Sequence, residues 1–256
     1  MTPLILTTIL TALSMVTKNL KKYTKNTRES TTYMLKTDLN ILFEDEHITV
    51  CVKPVGILSE DSQSGEKGII GLLSDRAGKN LHLLHRLDRN VGGVMVFANN
   101  KKSAGILSKD IAEGKLFKEY LAITDGVPEN KSGIYKDLLF KDSKKNRSYV
   151  VNRMRKGVKD ASLEYKVLGD NGEKSLVRVL LHTGRTHQIR VQFASRKTPL
   201  TGDVKYGSRD RTTGDIALHS CSISFYHPVS KEKLCFESVP DINEYPWNIF
   251  GDVLNA

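Results

Sequence analysis

Two short segments of this 256-residue chain are dense in side chains that could do chemistry. The first is His85-Arg86-Leu87-Asp88-Arg89-Asn90, followed by Val91-Gly92-Gly93 and an apolar run. A carboxylate beside a glycine pair, at the end of an apolar strand, is well placed to be presented to a substrate. Arginines on either side favour a charged carboxylate, able to act as base or nucleophile. The competing reading is a surface ion pair that caps the strand, and on the residues alone that reading is the simpler one. The second segment is Thr183-Gly184-Arg185-Thr186-His187-Gln188-Ile189-Arg190. If Thr186 opens a helix, Thr186, His187 and Arg190 share a face, and Ile189 and Phe193 share the buried one beside it. The donors would suit an anionic ligand; a capped helix with a solvated face is the alternative.

Other site chemistries find less support. His82 and His85 fall in a strand-like run where they point to opposite faces, with no cysteine or acid placed to complete a metal site. No phosphate-binding glycine loop, dinucleotide fingerprint or serine elbow is present. A glycosidase would need a second catalytic carboxylate, and none stands out near either segment.

The elements that must hold these segments read mostly as strands. Ile48, Val50 and Val52 alternate with Thr49, Cys51 and Lys53 up to Pro54. Residues 81–87 and 94–98 read as strands around a Gly92-Gly93 turn. Residues 103–113 read as a helix with Ala104, Leu107 and Ile111 on one face and Gly114 as its stop. Strands follow at 120–124 and from Val177. Residues 217–225 alternate as a half-buried strand that turns at His227-Pro228 into a hairpin with 234–236. Many strands with few helices predict an α+β fold on a mixed, mostly antiparallel sheet flanked by helices and loops.

Lys and Arg number 39 against 29 Asp and Glu, a net of 39 − 29 = +10. That excess favours a polyanionic partner. It concentrates in 141–159, where Lys141, Lys144, Lys145, Arg147, Arg153, Arg155, Lys156 and Lys159 face Asp142 alone. This is either a solvated loop or a surface for phosphates. Three scattered cysteines with no C-x-x-C argue against a disulfide or zinc framework and for a reducing, cytoplasmic compartment. The apolar stretch 4–16 is too short to span a bilayer, so no membrane role is expected. Residues 1–37 read as a basic, disordered tail, a targeting segment, or an upstream start ahead of Met34, with the catalytic domain at 38–256.

In order along the chain, the motifs resemble those of the RluA-type pseudouridine synthases. Phe43-Glu44-Asp45-Glu46 with Lys53-Pro54-Val55-Gly56 resembles the family's opening block. His85-Arg86-Leu87-Asp88 resembles its catalytic signature, and Lys118-Glu119-Tyr120-Leu121-Ala122 a following strand. The blocks at 183–190, 202–207 and 217–228 match its later motifs. One departure is Val91-Gly92-Gly93, where the family has Thr-Ser-Gly. The resemblance implies isomerisation of uridines in ribosomal or transfer RNA, without cofactor or metal; the sequence is silent on oligomeric state, and a monomer is the default expectation. It implies that Asp88 is the essential carboxylate, Arg190 its partner, and Tyr120 the ring packed on the target base. Arg86, His85, Arg185 and Leu218 are then expected to contact the flipped nucleotide. Lys144, Lys145, Arg147, Arg153 and Arg155 are expected on the RNA backbone. An RNA-binding protein that keeps the fold but has lost activity is the alternative.

Overall fold

The computed structural model describes residues 39–255. The tail expected at 1–37 lies outside the described residues. Eleven strands form one sheet. They are β1 (Ile41–Glu44), β2 (Ile48–Lys53), β3 (His82–Leu83), β4 (Gly92–Ala98), β5 (Phe117–Asp125), β6 (Ser132–Asp142), β7 (Arg147–Val151), β8 (Val158–Asp170), β9 (Lys174–Leu181), β10 (Leu218–Tyr226) and β11 (Lys233–Glu237). The order is β1-β2-β4-β10-β5-β9-β8-β6-β7, with β3 added on β4 and β11 on β10. The pairing of β10 with β4 is parallel, while the other strand pairs are antiparallel. The sheet is therefore mixed and mostly antiparallel, as the strand-rich pattern predicts. Among the described residues four helices accompany it: α1 (Ile69–Ala77), α2 (Lys101–Ala112), α3 (Gln188–Ala194) and the short α4 (Gly251–Leu254). None of the described helices is long and apolar enough to cross a membrane.

The helix expected at 103–113 begins two residues earlier. Asn100 caps it, its side chain accepting the Ser103 N–H at 2.9 Å. Leu107 enters a core built from Ile48, Val50, Val94, Val96, Ala98, Ile223 and Phe225. Strand β2 alternates in sequence, yet Thr49 and Cys51 are as buried as Ile48 and Val50. The polar Thr49 is tolerated inside because its hydroxyl donates to Asn99 Oδ1 at 2.8 Å.

Two local expectations are corrected. Gly92 and Gly93 are not a turn; they open β4, opposite His219 and Ser220 of β10. This is the one parallel junction in the sheet, and the backbones approach closely there. A Cβ on Gly93, at φ +117°, would lie 2.2 Å from the Ser220 carbonyl oxygen, so only glycine fits. The strand expected over 81–87 is also short. Only His82 and Leu83 pair with β4. At Leu87 the Ser59 hydroxyl replaces a ladder, accepting the Leu87 N–H and donating to its carbonyl.

Candidate active site

Asp88 sits in the connection between β3 and β4, which leads directly into the glycine junction. Beneath it lies Lys53, the last residue of β2 and fully buried. Its ammonium donates to the carbonyls of Pro54, Ile57 and Arg89 at 2.8, 2.7 and 3.3 Å. Three donors thus meet three acceptors and tie the segment that follows β2 to the backbone just past Asp88. Burial lowers the Lys53 pKa to about 8, against the opposing pull of the Asp88 charge.

The second charged segment reaches Asp88 by a tight route. Helix α3 starts at Gln188, not at Thr186, because His187 adopts left-handed backbone, φ 54°. No N-cap side chain closes the turn. Instead the Gln188 side-chain Oε1 accepts the Thr183 hydroxyl at 2.7 Å and the Arg185 N–H at 3.0 Å. Thr183 and Gln188 are therefore structural, and His187 and Arg190 are free to point at the carboxylate.

Arg190 Nη1 donates to Asp88 Oδ2 at 2.6 Å. The guanidinium makes a second contact that sequence reasoning missed. Its Nε and Nη2 grip the two oxygens of Asp203 at 2.6 and 2.9 Å. The two-donor fork goes to Asp203, which is 1% exposed, while Asp88 receives a single bond. A buried carboxylate thus neutralises and orients the arginine that holds Asp88. Asp203 lies in the Gly202–Gly207 block, and its acidic residue was the available signal. It is not a second catalytic carboxylate, since both oxygens are already engaged.

The arginines flanking Asp88 do not contact it, contrary to expectation. Arg86 pairs with Glu60 at 2.5 Å, and Arg89 pairs with Glu66. Both are exposed, so their chemistry is with the surface. His187 Nε2 approaches Asp88 Oδ2 at 3.7 Å.

Two cavities share Asp88, Arg86, Leu87, His187 and Arg190 in their walls. The small one, about 70 Å³, adds Val91, Tyr120, Arg185, Ile189 and Leu218. The large one is an open cleft of about 580 Å³, lined also by Glu60, Asp61, Lys141 and Lys205. Tyr120 on β5 and Leu218 on β10 lie diagonally across the paired strands, Leu218 opposite Ala122 and Tyr120 opposite Ser220. Burial raises the Tyr120 pKa and the Asp88 charge adds to this, against a Ser220 hydrogen bond. Tyr120 is therefore a neutral phenol through the neutral range.

Of the expected nucleotide contacts, Arg86, Arg185 and Leu218 meet in this pocket. His85 does not line either cavity. Its Nε2 accepts the Val96 N–H at 3.2 Å, supplying a bond that the truncated β3 cannot. Burial pushes its pKa down to about 3, so it is a neutral structural imidazole. The expected backbone contacts also divide. Lys144, Lys145, Arg153 and Arg155 are exposed on the β6–β7 and β7–β8 connections. Arg147 instead turns inward, with its guanidinium 5.0 Å from the centre of the Tyr206 ring. Besides Arg86, Arg89 and Arg190, the cations that line the cleft are Lys141 and Lys205.

A model of the RNA pseudouridylate synthase family matches residues 47–195. The chain belongs to this family, in its RluA-type branch. It is 34% identical over 211 residues to the uncharacterized RNA pseudouridine synthase YhcT of Bacillus subtilis, covering 78% of this chain and 68% of that protein. It is 30% identical over 214 residues to the ribosomal large subunit pseudouridine synthase C of Buchnera aphidicola subsp. Acyrthosiphon pisum, covering 79% and 68%. The fold matches a solved structure of human RNA pseudouridylate synthase domain containing 4, at TM-score 0.68 and 24% identity, over 87% of this chain and 96% of that one. This RNA pseudouridine synthase is accordingly an isomerase that acts on RNA. Among the described residues, no three His, Cys, Asp or Glu side chains group as a metal site.

Proposed function

We propose that this pseudouridine synthase isomerises a uridine of ribosomal or transfer RNA with Asp88 as its essential carboxylate. The observation that carries the reading is the Arg190–Asp88 bond of 2.6 Å at the junction of a small pocket and a wide cleft. In the isomerisation the N1–C1′ bond of uridine breaks and a C5–C1′ bond forms. The C5 proton leaves and N1 gains one, so the atoms balance without an outside reagent. The base must leave its stack to expose both faces of the bond. The small pocket, with the Tyr120 ring and Leu218, receives it, and Arg185 lies at its rim. Arg86, 67% exposed in its side chain, fills the vacated stack after exchanging Glu60 for RNA. Lys141 and Lys205 hold phosphates along the cleft. Lys144, Lys145, Arg153 and Arg155 extend that grip outside it.

Both contacts on the Asp88 carboxylate run to Oδ2, which leaves Oδ1 as the oxygen without a protein partner among the described residues. Oδ1 is the atom that acts on the nucleotide. Tyr120, a neutral phenol, offers its face and a proton rather than a phenolate. The test is Asp88→Asn, which keeps shape and polarity but removes the charge. It should fold, bind RNA and form no pseudouridine in transcribed ribosomal or transfer RNA. Turnover by the purified variant on either RNA would refute the assignment. Pseudouridine mapping in cells with and without the protein would name the RNA.

A further inference from the structure

A second tyrosine stands close to Asp88 without any part in the chemistry above. Tyr206 ends the 3-10 turn Val204–Tyr206, three residues after Asp203, and is buried. Its hydroxyl oxygen has two partners. The Ser148 N–H donates to it at 2.8 Å, and His187 Nδ1 lies at 2.9 Å. The Ser148 N–H takes one lone pair of that oxygen, which leaves the phenol hydrogen available for donation to Nδ1. With the phenol donating to Nδ1, the imidazole proton sits on Nε2. That nitrogen is the one 3.7 Å from Asp88 Oδ2, the oxygen already held by Arg190.

The surroundings hold this arrangement firmly. The two rings meet edge to face, 5.7 Å between centres at 84°. The guanidinium groups of Arg147 and Arg190 lie 5.0 and 5.1 Å from the centre of the Tyr206 ring. His187 is a non-glycine residue in left-handed backbone at the site, a conformation that persists only where neighbours fix it. Burial, helped by Arg190 and Lys205 and opposed by Asp88, lowers its pKa to about 4, in keeping with a neutral ring.

We propose that Tyr206 is a positioning residue for the isomerisation, orienting His187 so that its Nε2–H faces the Asp88 oxygen held by Arg190 and the other oxygen is left for the nucleotide. The proposal rests on the reading of Asp88 as the essential carboxylate, which Asp88→Asn tests separately. The Arg147 stack adds a consequence: the basic β6–β7 hairpin and the carboxylate share one support.

The experiment is a double-mutant cycle on the full chain, reading single-turnover pseudouridine formation at saturating transcribed RNA. Tyr206→Phe, which removes only the hydroxyl, should slow the step about tenfold, equivalent to about 1.4 kcal/mol, with RNA affinity within about twofold. His187→Gln should slow it at least as much. The double variant should be no slower than His187→Gln, because the phenol acts through the imidazole. Losses that multiply, or a wild-type rate for Tyr206→Phe, would overturn the proposal. The wild-type protein carries an independent test if Tyr206→Phe unfolds with Ser148 N–H left unpaired. Nitrogen-15 imidazole spectra at neutral pH should show His187 protonated on Nε2; protonation on Nδ1 would also overturn it.

Discussion

Replacing Arg190 by lysine separates two roles that an arginine beside Asp88 could have. The guanidinium makes three hydrogen bonds, two to Asp203 and one to Asp88, with the side chain 7% exposed. An ammonium on a flexible stem is a point donor and cannot span both carboxylates. Asp203 is the more buried of the two, so an unpaired charge there is costlier, and lysine will settle on Asp203. Asp88 then loses one charge-assisted bond, worth about 1.5–3 kcal/mol. Expressed only in the reacting geometry, that is roughly a ten- to hundredfold loss of the single-turnover rate at saturating RNA. The charge is kept, so RNA affinity and its salt dependence should barely change. Thinning the Asp203 fork should also lower Tm by roughly 2–4 °C per kcal/mol for a unit of this size. If Arg190 served an RNA phosphate instead, lysine would substitute well and Arg190→Ala would mainly weaken binding. A near-normal saturating rate for Arg190→Lys would refute the bridging role, and the partner of Asp88 would have to be sought at Arg86 or Arg185.

Three further outcomes follow from particular contacts. Tyr120→Phe keeps the stacking face and loses the neutral phenol, so single-turnover activity should collapse while RNA binding stays; turnover near wild type would reduce Tyr120 to packing. Gly93→Ala should cost about 3 kcal/mol or more, since its Cβ meets the Ser220 backbone at a left-handed φ; a Tm within about 2 °C of wild type would contradict the close junction. Burial lowers the pKa of His85 to about 3 and of His187 and His219 to about 4, from 6.5. The unfolded chain takes up those protons first, so their stabilisation is complete above pH 6.5 and is lost as pH falls toward 4. At pH 5 the loss is on the order of 2 kcal/mol per histidine as an upper bound. Urea melts that are flat between pH 7.5 and 5 would show that these rings are not buried neutral.

The strands and the charged motifs were legible because their signals are local. Alternation marked β2, β9 and β10, and the helix face of Leu107 was correct to within two residues. What sequence could not show was where guanidinium groups go. Arg86 and Arg89 adjoin Asp88 in the chain, yet they pair with Glu60 and Glu66, and the partner arrives from 102 residues away. That pairing came from the resemblance and not from spacing. Asp203 and Tyr206 were not singled out for the same reason: each stands in a quoted motif, but its partners lie on other elements. His85 misled because a histidine next to a catalytic-looking turn resembles a ligand, while its ring in fact completes the hydrogen bonding of β4. Arg147 misled because it lies in a run of exposed cations, and only the tertiary position of Tyr206 draws it inward.

The departure at Val91-Gly92 bears on whether the site can be active. Two hydroxyl groups usual in the family are missing beside the essential turn, which was the sole support for a binding protein without activity. A Cβ on Gly92 would lie 3.1 Å from Val55 Cγ2, 3.3 Å from the Lys53 carbonyl and 3.5 Å from His219 Nδ1. These neighbours already fill the space into which a Gly92→Ser side chain would have to reach. Gly92 lines neither cavity at Asp88. Val91 is buried and adds an apolar wall to the small pocket. The substitutions therefore fall on packing around the β4–β10 junction, while the Asp88–Arg190–Asp203 bridge and Tyr120 reach the site from other elements. The departure changes how the turn is packed and leaves the groups proposed to carry the isomerisation in place.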